Sequence, residues 1–146
     1  RDTDRSRGLG DVYKRQNLYF TSDLPDDYKI RTDGNRVKQV LINFLTNAEK
    51  YTEQGEIHLH CSLSENPGFV TYSVSDTGPG IPSDMADAIF ERFKKLNEFK
   101  QGTGLGLNIC RIVAERLHGK VKVDKSYTGG ARFLFILPLS ETNPDR

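Results

Sequence analysis

Residues 33–52 read DGNRVKQVLINFLTNAEKYT, and the apolar spacing in this stretch decides the fold class. Val37, Val40, Leu41, Phe44, Leu45 and Ala48 recur at three- and four-residue intervals, which makes one buried stripe on a helix. Asp33 is placed to cap that helix, with Gly34 and Asn35 in its first turn. A helix with a single apolar stripe needs a layer to pack against. The sequence supplies one immediately downstream, after the linker that ends at Gly55. There Ile57, Leu59, Cys61 and Leu63 alternate with Glu56, His58, His60 and Ser62, the period of a half-buried strand. Asn66-Pro67-Gly68 turns the chain, and Val70, Tyr72 and Val74 alternate again, with Asp76 on their face.

Outward from this core, Leu18-Tyr19-Phe20 reads as a short strand, Asp23–Asp27 as a turn and Tyr28–Arg31 as a second short strand. A short helix is expected near Met85–Phe93. A second long helix is expected from about Thr103 to His118, with Gly119 as its left-handed terminator. The chain then closes with a hairpin: Lys120–Ser126, a Thr128-Gly129-Gly130 turn, and Ala131–Leu139. Hairpins predominate and no βαβ repeat is apparent. The pattern predicts an α/β (α+β) fold: a two-layer sandwich whose mixed, mostly antiparallel sheet carries helices on one face.

The chain has 146 residues, a length suited to one compact domain. Its 21 basic and 20 acidic residues leave a net charge of +1, so the basic excess of a nucleic-acid binder is missing. Two cysteines without CxxC spacing speak against a zinc or disulfide framework and suit a reducing, cytoplasmic setting. The longest apolar run, Phe133–Leu139, is too short to span a bilayer, and no membrane contact is expected. The opening RDTDRSRGLGDVYKRQ has five basic and three acidic residues and almost no apolar periodicity. It resembles translated adapter sequence, and residues 1–16 are set aside as a non-native or disordered leader. The expected domain is 17–141, with 142–146 a flexible tail, and a longer natural protein is expected upstream.

Three clusters carry chemistry. Asn43, Asn47 and Lys50 share one helix face, offset from the apolar stripe, with Tyr51 beside them. Two amides and an ammonium on one face suit a hydrated cation and a phosphate; the competing reading is a solvated helix surface. In Asp76-Thr77-Gly78-Pro79-Gly80 a strand ends and turns, with glycines where side chains would block a close approach. An inward carboxylate needs donors, which an exocyclic amine supplies; the competing reading is an Asx turn. Gly102-Thr103-Gly104-Leu105-Gly106-Leu107 opens the second long helix, where bare backbone N–H groups and the helix dipole favour phosphate. Its GxGxG spacing, after a polar stretch, is neither a dinucleotide fingerprint nor a Walker loop.

In this order the clusters are far more specific than any one of them. From about Leu18 to Leu139 the chain resembles the ATP-binding catalytic domain of sensor histidine kinases, in the superfamily that also holds type II topoisomerases, Hsp90 and MutL. QVLINFLTNAEKYT resembles that family's N box, DTGPGI its G1 box, IFERF its F box and GTGLGL its G2 box. The resemblance implies ATP and Mg2+ as ligands. It implies that Asp76 accepts from the adenine amino group and that Asn47 coordinates the magnesium. Asn43 and Lys50 would help hold the triphosphate, and Tyr51 would pack near the nucleotide. Gly78, Gly80 and Ile81 would shape the adenine pocket. Gly102, Thr103, Gly104, Leu105, Gly106 and Leu107 would line the phosphates. Residues 82–101 would form a mobile lid anchored by Phe90 and Phe93, from which Arg92, Lys94 or Lys95 would reach the γ-phosphate.

Position 43 separates branches of the superfamily. Its ATPases carry a water-activating glutamate one turn before the magnesium asparagine, and Asn43 cannot serve as a general base. Transfer to a histidine on a separate dimerisation domain is therefore implied, with a response regulator downstream. His58, His60 and His118 are the only histidines, and none has the acceptor's sequence context. The alternatives are a superfamily ATPase module, a nucleotide-binding pseudokinase and, from another class, an aspartic protease. The protease reading rests on Asp76-Thr77-Gly78 and needs a second copy, which the chain lacks. His58 and His60 are expected to face solvent, and an i, i+2 pair without a further His or Cys nearby in sequence is not read as a metal site. Cys110 is expected to pack as a small hydrophobe. Ala131 departs from the Thr or Ser that many family members carry before the last strand.

Overall fold

A computed structural model describes residues 15–91 and 106–139. The elements are β1 (Arg15–Ser22), α1 (Gly34–Tyr51), β2 (Gln54–Ser62), β3 (Phe69–Asp76), α2 (Gly106–Arg116), β4 (Lys120–Val123) and β5 (Arg132–Pro138). One five-stranded sheet has the order β1-β2-β3-β5-β4. The β2–β3, β3–β5 and β4–β5 pairs are antiparallel, and β1 runs parallel to β2. The sheet is thus mixed and mostly antiparallel, as the hairpin signals predicted. The parallel pair corrects one detail: β1–α1–β2 is a crossover unit, because parallel neighbours cannot be joined by a tight turn.

That crossover also explains why Tyr28–Arg31 is not a strand. β1 already occupies the only free edge of β2, so the chain leaves the sheet after Ser22 and turns at Pro25, whose carbonyl accepts from the Tyr28 N–H at 3.0 Å. Asp23 fixes the departure. Its carboxylate accepts from the Leu63 N–H at 2.8 Å and from the Ser62 and Ser64 hydroxyls at 2.7 and 2.8 Å.

α1 starts where its cap signal placed it, with the Asp33 side chain accepting from the Asn35 and Arg36 N–H groups. Its buried residues are Val37, Val40, Phe44 and Ala48, with Leu41 and Leu45 at the margin of the core. Phe44 meets Phe133 of β5 with ring centroids 5.4 Å apart, and Phe90 meets Phe133 edge-on at 6.0 Å. Full burial of each ring contributes about 2–3 kcal/mol. Strand register puts Ile57, Val74, Phe133 and Asp76 on this helix-covered face, and His58, Ser75 and Arg132 on the other.

Three further local expectations are corrected. Met85–Phe93 holds no α-helix in its described part; the chain makes two 3-10 turns, Ser83–Met85 and Ala88–Phe90, the second burying Ile89 and Phe90. Three-residue turns suffice to drive those side chains into the core, and Pro82 starts the first turn. β4 ends at Val123, short of Ser126, because Asp124 turns the chain by accepting from the Ser126 N–H and hydroxyl at 3.0 and 2.6 Å. At the end of α2 the left-handed residue is His118 (φ 64°), not Gly119. The Gly119 N–H bonds the Ala114 carbonyl at 2.8 Å and the His118 N–H bonds Glu115 at 3.0 Å, a Schellman closure. Gly119 is required for a different reason: a Cβ there would collide with the Ile136 carbonyl of β5. No described helix is long and apolar enough to cross a membrane.

Candidate functional site

Asp76 ends β3 on the helix-covered face and is 4% exposed. Its Oδ1 accepts from two backbone donors, the Gly78 N–H at 2.9 Å and the Ala131 N–H at 3.2 Å. Burial pushes its carboxyl above the ordinary carboxylate value, against the two N–H groups, which pull it down. Oδ1 is thus held from both sides, and no described donor bonds Oδ2, so one acceptor is oriented for a ligand.

The turn after Asp76 is built on missing side chains. A Cβ on Gly78 would sit 2.9 Å from the Thr52 hydroxyl and 3.0 Å from the Tyr51 carbonyl. The end of α1 therefore backs directly onto the turn. Gly80 takes φ 83° and lies against the Gly130 carbonyl. Thr77 points away from the pocket: its hydroxyl accepts from the Glu56 N–H at 2.9 Å, and Gly55 leaves room for it. Ile81, just beyond, packs against the core.

Asn43, Asn47 and Lys50 fall on α1 as the spacing required, each half-buried. The Asn43 amide donates to the Gly106 carbonyl at 3.3 Å, joining α1 to the first residue of α2. Tyr51 ends α1 beside Gly78. Among the described residues, α1 therefore links the two ends of the site: its middle touches Gly106 and its C-terminus touches Gly78. Asn43 and Tyr51 are eight positions apart, about 12 Å along the helix. Leu107 packs against the core from the first turn of α2. Phe90 is buried, and its carbonyl accepts from the Asn108 amide at 3.2 Å. Phe93, Arg92, Lys94 and Lys95 of the expected lid, and Gly102, Thr103, Gly104 and Leu105, lie outside the described residues.

Four contributors escaped the sequence reading. Gly130 looked like an ordinary hairpin residue, yet a Cβ there would collide with the Asp76 carbonyl. Ala131 figured only as a departure from the family, yet its N–H holds the Asp76 carboxylate. Thr52 is fully buried against Gly78, and Asn108 ties α2 to the Phe90 turn. Two glycines in succession were the one available signal, since a hairpin does not need both. The turn that delivers Gly130 is braced by Arg132, which donates to Asp124 at 2.6 Å and to both Glu65 oxygens at 3.0 Å. Chiefly the Ser126 hydrogen bond holds the Asp124 carboxyl below its ordinary value, with Arg132 adding to it.

A magnesium ion needs little from the protein here. Mg2+ keeps several waters and takes phosphate oxygens, so one hard amide oxygen suffices. Asn47, half-buried and one turn beyond the Asn43–Gly106 contact, fits that requirement.

Comparison with known proteins agrees with the fold. The family described as histidine kinase-, DNA gyrase B- and HSP90-like ATPase matches residues 32–141. The adaptive-response sensory kinase SasA of Nostoc sp. (strain PCC 7120) is 40% identical over 134 residues, covering 90% of this chain and 33% of its own. The chain thus spans about a third of the length of that curated relative. The catalytic domain of the histidine kinase ThkA superposes with a TM-score of 0.75 at 32% identity, over 94% of this chain and 84% of that one. A ThkA structure in complex with the response regulator protein TrrA gives 0.73 at 29% identity, over 99% and 38%. Full-length ShkA in complex with AMPPNP gives 0.72 at 35% identity, over 93% and 27%. The chain therefore belongs to the histidine kinase-, DNA gyrase B- and HSP90-like ATPase family, as a histidine kinase-type catalytic domain.

Proposed function

We propose that this domain binds Mg·ATP and transfers the γ-phosphate to a histidine on a separate dimerisation domain. The observation that carries the reading is the Asp76 carboxylate, locked at Oδ1 by Gly78 and Ala131, with no donor on Oδ2 among the described residues. An acceptor held in that way selects a purine bearing an exocyclic amine over one bearing a carbonyl, because a second acceptor opposite it would leave both unpaired.

The remaining roles follow along α1. The adenine lies by Gly78, Gly80 and Ile81, with Tyr51 at its side. Asn47 offers its amide oxygen to the metal, and Lys50 and Asn43 flank the triphosphate. The family resemblance assigns the backbone N–H groups of Gly102, Thr103, Gly104, Leu105, Gly106 and Leu107 to the phosphates, and gives Phe90 and Phe93 the role of anchoring the segment that carries Arg92. Bound magnesium neutralises charge that develops on the transferring phosphoryl group. The chain's own work is positioning, since Asn43 cannot take a proton from water. Slow intrinsic hydrolysis follows, and the superfamily-ATPase alternative requires the opposite. The catalytic unit is residues 17–141, a response regulator is the downstream partner, and the setting is cytoplasmic.

Calorimetry with a non-hydrolysable ATP analogue, with and without Mg2+, tests binding. An acceptor domain supplied in trans tests transfer. Asn47→Asp is expected to keep measurable nucleotide binding and lose transfer by on the order of a hundredfold or more. Normal transfer by that variant removes the metal role from Asn47. Rapid ATP turnover by the chain alone moves it to the ATPase branch.

A further inference from the structure

Two imidazoles converge on one oxygen on the face of the sheet opposite Asp76. His58 and His60 sit two residues apart on β2, pairing with Ser75 and Ser73 of β3. Thr21 of the parallel strand β1 pairs with His60. Its hydroxyl oxygen is 2.6 Å from His58 Nε2 and 2.6 Å from His60 Nδ1. A hydroxyl has one proton, so it can donate to only one of the two nitrogens, and the other must turn an N–H towards it. Both ring nitrogens are thus aimed at one point at the sheet surface, where Thr21 is exposed and the two rings are half-buried.

We propose that His58 Nε2, His60 Nδ1 and Thr21 Oγ1 form a binding site for a divalent transition-metal ion. The donor set fixes the class. Imidazole nitrogen suits Ni2+, Cu2+ and Zn2+ and is a poor ligand for Mg2+. The two 2.6 Å contacts put the nitrogens no more than about 5 Å apart, and an ion about 2.1 Å from all three donors sets every donor pair about 3.4 Å apart, so the nitrogens close on each other as the Thr21 hydroxyl draws back from both. Water fills the remaining coordination positions, since among the described residues no three His, Cys, Asp or Glu side chains gather in one place. The sequence reading set a metal aside because no further His or Cys lies nearby; the third donor proposed here is a hydroxyl 37 residues from His58, on another strand. Only the parallel register of β1 on β2 delivers it. A bound ion ties the edge strand to its single neighbour, on the face away from the nucleotide site.

The test is a titration of Ni2+ into the full 146-residue chain. One ion per chain is expected, with binding lost in His58→Gln and in His60→Gln and kept in His118→Asn, which alters the remaining histidine. Thr21→Val is expected to weaken binding by about tenfold. In the unaltered chain, paramagnetic Ni2+ is expected to broaden the His58 and His60 ring signals before those of His118, a readout that does not depend on how the variants fold. Absence of saturable binding, or binding that survives either glutamine variant, overturns the site. A Thr21→Val affinity equal to that of the unaltered chain overturns the three-donor geometry.

Discussion

Replacing Asp76 by Asn separates recognition from architecture. The amide oxygen can keep both backbone hydrogen bonds that Oδ1 now accepts, from Gly78 at 2.9 Å and from Ala131 at 3.2 Å. The amide nitrogen then occupies the Oδ2 position and opposes the purine amine donor to donor. The loss is one hydrogen bond to a charged acceptor, worth about 1.5–3 kcal/mol, or roughly 10- to 150-fold in affinity. Stability moves the other way. The Asp76 carboxyl titrates higher in the folded chain than in the unfolded one, because burial disfavours its charge. The unfolded state therefore gives up its proton first, and stability falls as pH rises from the ordinary carboxylate value of 3.8 towards the folded value. The amide has no charge to bury, so at pH 7 Asp76→Asn is expected to melt no lower than the unaltered chain. Calorimetry with an ATP analogue and a thermal melt at pH 7 check both halves together. Affinity within threefold of the unaltered chain, or lost affinity accompanied by a clear drop in melting temperature, refutes the reasoning. The second result would make the carboxylate a structural post.

Gly130→Ala is expected to damage the site from a distance, because the new Cβ meets the Asp76 carbonyl at a backbone φ of 151°. Strain and overpacking together cost about 3 kcal/mol, or about 9 °C of melting temperature, read by calorimetry with nucleotide affinity measured alongside. Asp23→Asn is expected to flatten the acid side of the stability profile. The Ser62 hydroxyl, with Leu63 and Ser64, holds that carboxyl at about 2, so its contribution is full above 3.8 and drains away as pH falls towards 2. Melts between pH 5 and pH 2 compare the two chains, and parallel curves would dismiss the clasp.

The positions of most groups in the proposed nucleotide site were legible because they lie on regular elements. Asn43, Asn47 and Lys50 share a helix face by arithmetic, and Asp76 faces the core by strand alternation. What escaped was set by contacts between segments far apart in the chain. Nothing in Thr128-Gly129-Gly130 says that this turn presses on the end of a strand more than fifty residues earlier. Gly119 was placed correctly as a necessary glycine for the wrong reason, since local capping and a distant carbonyl both call for the same residue.

The sequence by itself determined the two layers, the helix that carries the polar face, and the order of the glycine-rich turns. Each of these follows from periodicity or backbone freedom within a few residues, where the energies are local. The tertiary structure alone decided that β1 runs parallel to β2, that Ala131 and Gly78 grip one carboxylate oxygen, and that Thr21 stands between two histidines. Those outcomes depend on which strand wins an edge and in what register. Pairing of that kind is settled only when the whole sheet closes over its core, because a strand's side-chain pattern fixes its buried face but leaves its neighbour open.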